Sequence, residues 1–236
     1  MALDYYDAKG KTWVSPRLVL HYYNRLLKER GNALFNDRKF YKVLEAKPVA
    51  IALLGIHKST GITYMMQVPA AVNDSPDIVT MTLKEYLDKP VQMEIQDVEV
   101  VEYGEDAKED LATFLINTKL SPTISGQAYD SKTIVMCHIT RKYLLINPKT
   151  LHYEIKKQNP KAAVCLISQM PLSGHIYSFT RIWPELDSGI DFDVIEECNN
   201  YPIPDACKFS LGMNKKIVIG KSTLPLPTSE EVFEFS

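Results

Sequence analysis

Asp77, Glu94 and Gln96 are the residues of this sequence whose types and spacing could do chemistry. Asp77 follows a proline and precedes a short apolar run, and Glu94 and Gln96 interrupt the next apolar run about seventeen residues later. Acidic and amide side chains inside a strand cost free energy unless they are paired or used. Residues two apart in a strand point to the same face, so Glu94 and Gln96 are expected to point together.

A metal site is the chemistry that these residues suggest. If Asp77 lies at the end of the neighbouring strand, its carboxylate can approach that of Glu94. Two carboxylates about 4 Å apart repel by roughly 4 kcal/mol at an effective dielectric constant near 20, and such a pair shares a proton or binds a cation. Hard oxygen ligands suit Mg²⁺ or Mn²⁺. Such an ion could position a water and stabilise charge on a phosphodiester.

The elements around these residues predict an α/β fold with a mixed β-sheet flanked by helices. Ser15 and Pro16 suit the start of a first helix, which Gly31 can end. Helices are also predicted for "EDAKEDLATFLINTKL" and for "NPKTLHYEIKKQN", the second with Asn147 as its cap. Strands are predicted for "PVAIALLGIH" and "ITYMMQVP", joined as a hairpin, and for "DIVTMTL", "VQMEIQDVEVVEY", "KTIVMCHI" and "AAVCLISQM". Buried strands that alternate with helices indicate parallel pairing in the later half.

The regular pattern weakens after Pro184. We therefore predict a core domain over residues 1–184 and a C-terminal extension over residues 185–236, packed on the core or partly disordered. Within the extension, "KKIVIG" could form an edge strand, whereas the proline-rich last residues favour an extended surface segment.

Pro76-Asp77 followed by Glu94-Ile95-Gln96 resembles the motif of the PD-(D/E)XK nuclease superfamily. The predicted order of helix, three strands, helix and strand resembles the restriction-endonuclease-like αβββαβ core, from about residue 15 to residue 170. The resemblance implies a Mg²⁺- or Mn²⁺-dependent nuclease that hydrolyses DNA, with Asp77 and Glu94 as metal ligands. It also implies a setting in bacterial restriction, repair or phage defence.

The third position of that motif is usually lysine, and here it is Gln96. An amide cannot supply a positive charge to the attacking water or to the phosphate, so Gln96 could only orient the water. The resemblance further implies an acid from the first helix, for which Glu29 is the candidate.

The same residues also fit a simpler structural interpretation. Pro76-Asp77 could be an ordinary turn before a strand, and Glu94, Gln96, Glu99 and Glu102 could face solvent from a half-exposed sheet. Asp97 and Glu99 share a face as well, so Glu94 has no exclusive claim. The alternative function is a non-catalytic binding or assembly module with a similar fold and no metal.

Composition limits the classes of partner. A formal net charge of −2 and a pI of about 6.2 argue against a surface that grips nucleic acid or membrane everywhere, but they permit a local basic patch for DNA. The first residues lack an apolar stretch of signal-peptide length, and no two of the four cysteines form a CxxC pair. We therefore expect a cytoplasmic protein without a membrane partner. It could form a homodimer or bind a partner protein.

Overall fold

A computed structural model describes residues 12–37, 40–68, 76–86, 89–121, 129–202, 206–211 and 217–221. The strands are β1 (Thr12–Val14), β2 (Thr63–Gln67), β3 (Ile78–Tyr86), β4 (Lys89–Tyr103), β5 (Thr133–Ile139), β6 (Ala163–Gln169), β7 (Ile176–Trp183), β8 (Ile190–Asp193), β9 (Ala206–Leu211) and β10 (Ile217–Lys221). The helices are α1 (Pro16–Arg30), α2 (Tyr41–Thr60), α3 (Leu111–Leu115), α4 (Pro148–Gln158) and α5 (Val194–Asn200). A 3₁₀-helix, Gly31–Asn36, follows α1, and a π-helix, Ile116–Leu120, continues α3.

All these strands belong to one mixed sheet in the order β10-β9-β1-β2-β3-β4-β5-β6-β7-β8. Strands β4, β5 and β6 are parallel, and the other neighbouring pairs in this order are antiparallel. The predicted mixed sheet flanked by helices, with parallel pairing in the later half, is confirmed.

Helices cover both faces of this sheet. The larger hydrophobic core packs α1, α2 and α5 against one face, and it includes Leu18, Ala50, Val98 and Met136. The second core packs α3 and α4 against the opposite face through residues such as Leu115 and Ile155. Because α3 and α4 make the crossovers between the parallel strands, both lie on the same side of the sheet.

The predicted hairpin of "PVAIALLGIH" and "ITYMMQVP" is wrong. The first of these runs belongs to α2, and only the second contributes a strand, β2. A helix buried on all sides shows a continuous apolar run, which periodicity alone cannot distinguish from a buried strand. Pro48 lies inside α2, and Gly61 ends the helix in the left-handed conformation, with φ of 70°.

Capping residues place the helix ends. Ser15 Oγ accepts a hydrogen bond from Leu18 N at 3.1 Å, and Asn147 Oδ1 accepts hydrogen bonds from the first turn of α4, as predicted. The helix predicted from Glu105 begins later, at Leu111. Asp110 caps it, because its side chain accepts hydrogen bonds from both the backbone and the hydroxyl of Thr113.

The described part of residues 185–236 completes the sheet and the larger core. Strand β8 pairs with β7, and Phe192, Val194, Cys198 and Tyr201 are buried in the core that α1 and α2 form. Strand β10 lies at one edge of the sheet, where an edge strand was predicted for "KKIVIG". The proline-rich segment of residues 222–236 lies outside the described residues.

Candidate active site

Asp77 lies immediately before β3, and both of its carboxylate oxygens accept hydrogen bonds. Oδ1 accepts from Lys42 Nζ at 3.1 Å, and Oδ2 accepts from the backbone N–H of Val100 at 2.8 Å. The first bond connects β3 to α2 and the second connects it to β4. Asp77 is therefore fixed between three elements of the fold.

Strand register separates Asp77 from Glu94. Ile78 pairs with Val98, so the register continues with Asp77 beside Glu99, whereas Glu94 pairs with Thr82. Glu94 lies five residues before Glu99 on β4, roughly 16 Å away at the rise of a strand. The predicted convergence of the Asp77 and Glu94 carboxylates is therefore not found.

Gln96 does not reach Asp77 either. It pairs with Thr80 in the middle of β3. Alternation along β4 puts Glu94 and Gln96 on the face where Val98 enters the larger core, and it puts Glu99 on the opposite face. Tyr86 pairs with Lys89, and the register of the two strands shifts between Lys84 and Tyr86.

Glu99 occupies the position beside Asp77 that was predicted for Glu94. Its side chain is only 7% exposed, and Oε2 accepts hydrogen bonds from Lys119 Nζ at 2.8 Å and from the hydroxyl of Tyr129 at 3.2 Å. Lys119 comes from the π-helix after α3, and Tyr129 comes from the segment before β5. A buried carboxylate is thus paired with an ammonium group from a neighbouring element.

Helix α2 contributes a third carboxylate. Glu45 Oε2 lies 3.2 Å from Lys42 Nζ, the same ammonium that binds Asp77. We call these residues the carboxylate–lysine cluster: Lys42, Glu45, Asp77, Glu99, Lys119 and Tyr129. Its three carboxylates and two ammonium groups come from α2, β3, β4 and the π-helix.

The electrostatics of the cluster show that its members act on one another. Burial raises the pKa of Glu45, and the negative charge of Asp77 raises it further, while Lys42 and Lys119 lower it. Burial lowers the pKa of Lys119, but the hydrogen bond and charge of Glu99, with smaller influences from Tyr129 and Asp77, leave it above its ordinary value. Lys119 therefore stays protonated at neutral pH.

Asp97 lies at the edge of this arrangement. It shares a face of β4 with Glu99, and burial raises its pKa, as do the charges of Asp130 and Glu99. The sequence had shown that Asp97 and Glu99 share a face, and the structure places Glu99 in the cluster.

The helix that adds a carboxylate to the cluster is α2, whereas α1 supplied the predicted candidate. Glu29, the predicted candidate, is exposed and forms an ion pair with Arg25 at 3.4 Å. Glu45 was missed because its segment, "FYKVLEAK", fits a helix as well as a strand when only the sequence is considered. Its spacing of three residues from Lys42 is a signal for neighbouring side chains only once the segment is known to be helical. Lys119 and Tyr129 carried no comparable signal.

The carboxylate oxygens of the cluster are donor atoms that suit cations. Carboxylate oxygens are the ligands that Mg²⁺ and Mn²⁺ prefer, and here they surround two ammonium groups. Among the residues that the structure describes, no group of three or more His, Cys, Asp or Glu side chains has an arrangement that could hold a metal ion. Lys42 stands in the place of a cation between Glu45 and Asp77. In this arrangement the described residues of the cluster therefore do not fit a divalent ion.

Comparisons with known proteins add no family. No family model, no curated protein and no solved structure matches this chain. Within the described ranges, none of the helices combines the length and the apolar character needed to cross a membrane.

Proposed function

We propose that this protein is a metal-dependent nuclease that hydrolyses DNA phosphodiester bonds. The observation that carries the proposal is the cluster itself, in which the buried Glu99 lies beside Asp77 and is bonded to Lys119. The chemistry is the one that the PD-(D/E)XK resemblance implies, with Glu99 in place of Glu94. Asp77 and Glu99 are the proposed metal ligands, with Glu45 beside them.

The order of elements supports a restriction-endonuclease-like core for this proposal. Helix α2 is followed by the antiparallel strands β2, β3 and β4, then by α3 and by β5, which is parallel to β4. This is an αβββαβ order with α2, not α1, as its first helix. Asp77 precedes the second strand of this core, and Glu99 lies on the third.

Lys119 is proposed to supply the positive charge that Gln96 cannot provide. Its ammonium is bonded to Glu99 and remains protonated, so it can stabilise the negative charge that develops on a phosphate or hold a hydroxide-like water. The tyrosine hydroxyl of Tyr129 donates to the same carboxylate and orients it. When bound, Mg²⁺ or Mn²⁺ would supply Lewis-acid stabilisation of the phosphodiester.

Basic and aromatic side chains next to α2 support a nucleic-acid substrate. Arg30, at the end of α1, lies 5.7 Å from the ring centre of Phe40, which directly precedes α2. Phe35 and Tyr41 are exposed in the same stretch of chain. Such side chains contact phosphates and stack on bases. Arg38 and Lys39, which the sequence groups with them, lie outside the described residues.

The test is cleavage of plasmid, linear and single-stranded DNA with Mg²⁺ or Mn²⁺, with EDTA as the control for metal. Wild type should cleave only with metal, Asp77→Asn should be inactive, and Lys119→Met should lose most of the activity. Equal background in all samples would contradict the nuclease proposal.

Resemblance to the family further implies a cytoplasmic role in restriction or phage defence, which remains part of the proposal.

A non-catalytic binding or assembly module is the second candidate function. The observation that favours it is the saturation of Asp77, whose two oxygens already bind Lys42 and the Val100 N–H. A salt-bridge network of this kind can serve the fold alone. In that case, DNA would bind with equal affinity with and without metal, and Asp77→Asn would change stability but not DNA affinity.

A further inference from the structure

A cavity lies at the end of the sheet where the parallel strands β4 and β5 terminate. Its volume is about 710 Å³, and it is lined by the connection from β4 to α3, the connection from β5 to α4 and the N-terminal parts of both helices. Pockets of roughly 300–1,000 Å³ hold small-molecule ligands. In open α/β sheets, ligands bind beyond the carboxyl ends of parallel strands, which is where this cavity lies.

The cavity is separate from the carboxylate–lysine cluster. None of the six residues of that cluster, all of which the structure describes, lines the cavity. Helix α3 begins at the cavity, whereas Lys119, in the π-helix that continues α3, is bonded to Glu99 in the cluster. The proposed nuclease chemistry therefore leaves the cavity unused.

The charged side chains that line the cavity differ in whether they have partners. All four carboxylates accept hydrogen bonds: Glu105 from the Lys142 backbone N–H, Glu109 from the Asn117 amide, Asp110 from Thr113, and Glu154 from Lys157. The guanidinium of Arg141 donates to the hydroxyl of Tyr103 at 3.1 Å. The side chains of Lys108 and Lys142 have neither a hydrogen bond nor an ion pair within the described part of the chain. Their ammonium groups are thus the charged donors left for a ligand, and they favour an anion.

Apolar side chains at the mouth of the cavity suit a planar group. Tyr143 and Leu145 line the cavity, yet they are 81% and 99% exposed. Tyr143 also has a φ of 57°, a left-handed conformation that is uncommon for residues other than glycine. Backbone strain of this kind is found at ligand clamps, and an exposed tyrosine ring can stack on a nucleobase.

We propose that this cavity binds a nucleoside phosphate, with Lys108 and Lys142 on the phosphate and Tyr143 against the base. The inference goes beyond the proposed nuclease, because the cavity shares no residue with the carboxylate–lysine cluster. The two ammonium groups bind the phosphate oxygens as point charges. The base covers the exposed surface of Tyr143 and Leu145, which removes apolar area from water.

Isothermal titration calorimetry without DNA and without divalent metal tests this inference. ATP should bind wild type more tightly than adenosine or inorganic phosphate does, since only the nucleotide contacts the two lysines and Tyr143 together. Lys108→Met combined with Lys142→Met should weaken ATP binding by roughly tenfold or more. No binding of ATP to wild type, or an unchanged ATP affinity in this double variant, would overturn the inference.

Lys156→Met combined with Lys161→Met is the matched control. These two lysines are also exposed, they lie outside the cavity, and their loss changes the net charge by the same amount. The ATP affinity of the control should equal that of wild type. An equal loss of affinity in both double variants would show only a general attraction of the protein for anions and would overturn the inference.

Tyr143→Asn tests the contact with the base. Asparagine tolerates the left-handed conformation of residue 143, so the variant removes the ring without adding backbone strain. The ATP affinity should fall by roughly fivefold or more. An ATP affinity equal to that of wild type would overturn the assignment of a nucleoside phosphate to the cavity.

Failure of this inference and failure of the nuclease proposal give different results. ATP binding that depends on Lys108 and Lys142, without DNA cleavage, would uphold the nucleotide site and contradict the nuclease. Metal-dependent DNA cleavage without ATP binding would uphold the nuclease and contradict the nucleotide site. Binding of a single-stranded oligonucleotide that the double variant weakens, without ATP binding, would assign the cavity to a nucleic-acid chain and overturn the inference.

Discussion

Asp77 makes its contribution to the site through two different bonds. The Lys42 bond neutralises a buried ammonium, and the Val100 bond fixes the start of β3 against β4. The cluster combines residues from four elements, so neighbouring charges influence Asp77 more than the sequence suggested. The contacts of Asp77 therefore contribute to the stability of the fold as well as to the proposed chemistry.

Asp77→Asn should destabilise the protein even in the absence of metal. Of the two carboxylates that pair with Lys42, only that of Glu45 remains in the variant. The asparagine is also a weaker acceptor for the Val100 N–H. Because the Asp77 side chain is 17% exposed, solvent screens part of the loss, and we expect a cost of about 1–3 kcal/mol. Chemical denaturation measures it. Glu94→Gln, at an exposed position, should change the free energy of unfolding by no more than about 0.5 kcal/mol. A larger effect would contradict the placement of Glu94 outside the cluster.

His138 predicts a pH dependence of stability. Burial, together with the positive charge of Lys47, lowers the pKa of His138 to about 4. The unfolded chain takes up a proton on this histidine below pH 6.5, whereas the folded protein does so only below about pH 4. Stability should therefore fall as the pH falls from 6.5 to 4, by on the order of 2–3 kcal/mol.

The control for this prediction is His138→Gln, which cannot titrate. Urea denaturation of both proteins at pH 7, 5.5 and 4 separates the histidine from the carboxylates, because the carboxylates titrate in both. The difference in the free energy of unfolding between wild type and variant should shift against wild type as the pH falls. A constant difference across this range would show that His138 is not held neutral.

At the scale of elements, helix α2 packs closely against the sheet and α5 in the larger core. Gly55 shows how close this packing is, because a Cβ there would lie 2.5 Å from Phe192 Cε1. Phe192 is itself buried and belongs to the same core, so its ring has little room to move.

Gly55→Ala should therefore destabilise the protein, although alanine favours a helix more than glycine by about 1 kcal/mol. Overpacking of a closed core costs about 1–3 kcal/mol, which outweighs that gain. The measurement is the midpoint of thermal or urea unfolding. Adding Phe192→Leu should recover part of the loss, since it removes the ring that the new methyl group meets. Stabilisation by Gly55→Ala alone would contradict the packing of α2 against β8.

Sequence patterns predicted the elements whose signals are local. Ser15, Asn147 and the alternation in β4 gave the correct helix starts and the longest strand. The apolar run of α2 was mistaken for a strand because it has no period, and periodicity alone cannot distinguish a buried helix from a buried strand. The site was predicted only in part, because just one of its signals is local. Asp77 could be found from its local context, but its partner depends on the β3–β4 register, which set Glu99 and not Glu94 beside it.

At the scale of the whole molecule, residues after Pro184 are part of the core. The hydroxyl of Tyr201 accepts a hydrogen bond from Tyr64 N at 2.7 Å and donates one to Tyr64 O at 2.8 Å. It thereby satisfies both backbone groups of Tyr64, a residue of β2 distant in sequence. A segment that closes a strand in this way contributes to the stability of the full sheet.

A chain that ends at Pro184 should fail to unfold cooperatively. It would lose Phe192, Val194, Cys198 and Tyr201 from the larger core. Tyr201→Phe keeps the ring and removes the two hydrogen bonds, so it should fold with a loss of about 1–3 kcal/mol. Urea denaturation followed by fluorescence measures both. A truncated chain with the stability of wild type would show that residues 185–236 are dispensable for the core.

The most direct measurement of the central proposal compares Glu99→Gln with Glu94→Gln in Mn²⁺-dependent DNA cleavage. Both variants replace a glutamate of β4 by its amide, but only Glu99 lies in the carboxylate–lysine cluster. Glu99→Gln should lose roughly a hundredfold or more of the wild-type rate, and Glu94→Gln should retain it. Loss of activity in Glu94→Gln with activity retained in Glu99→Gln would contradict the site, and absence of cleavage in wild type would contradict the nuclease itself.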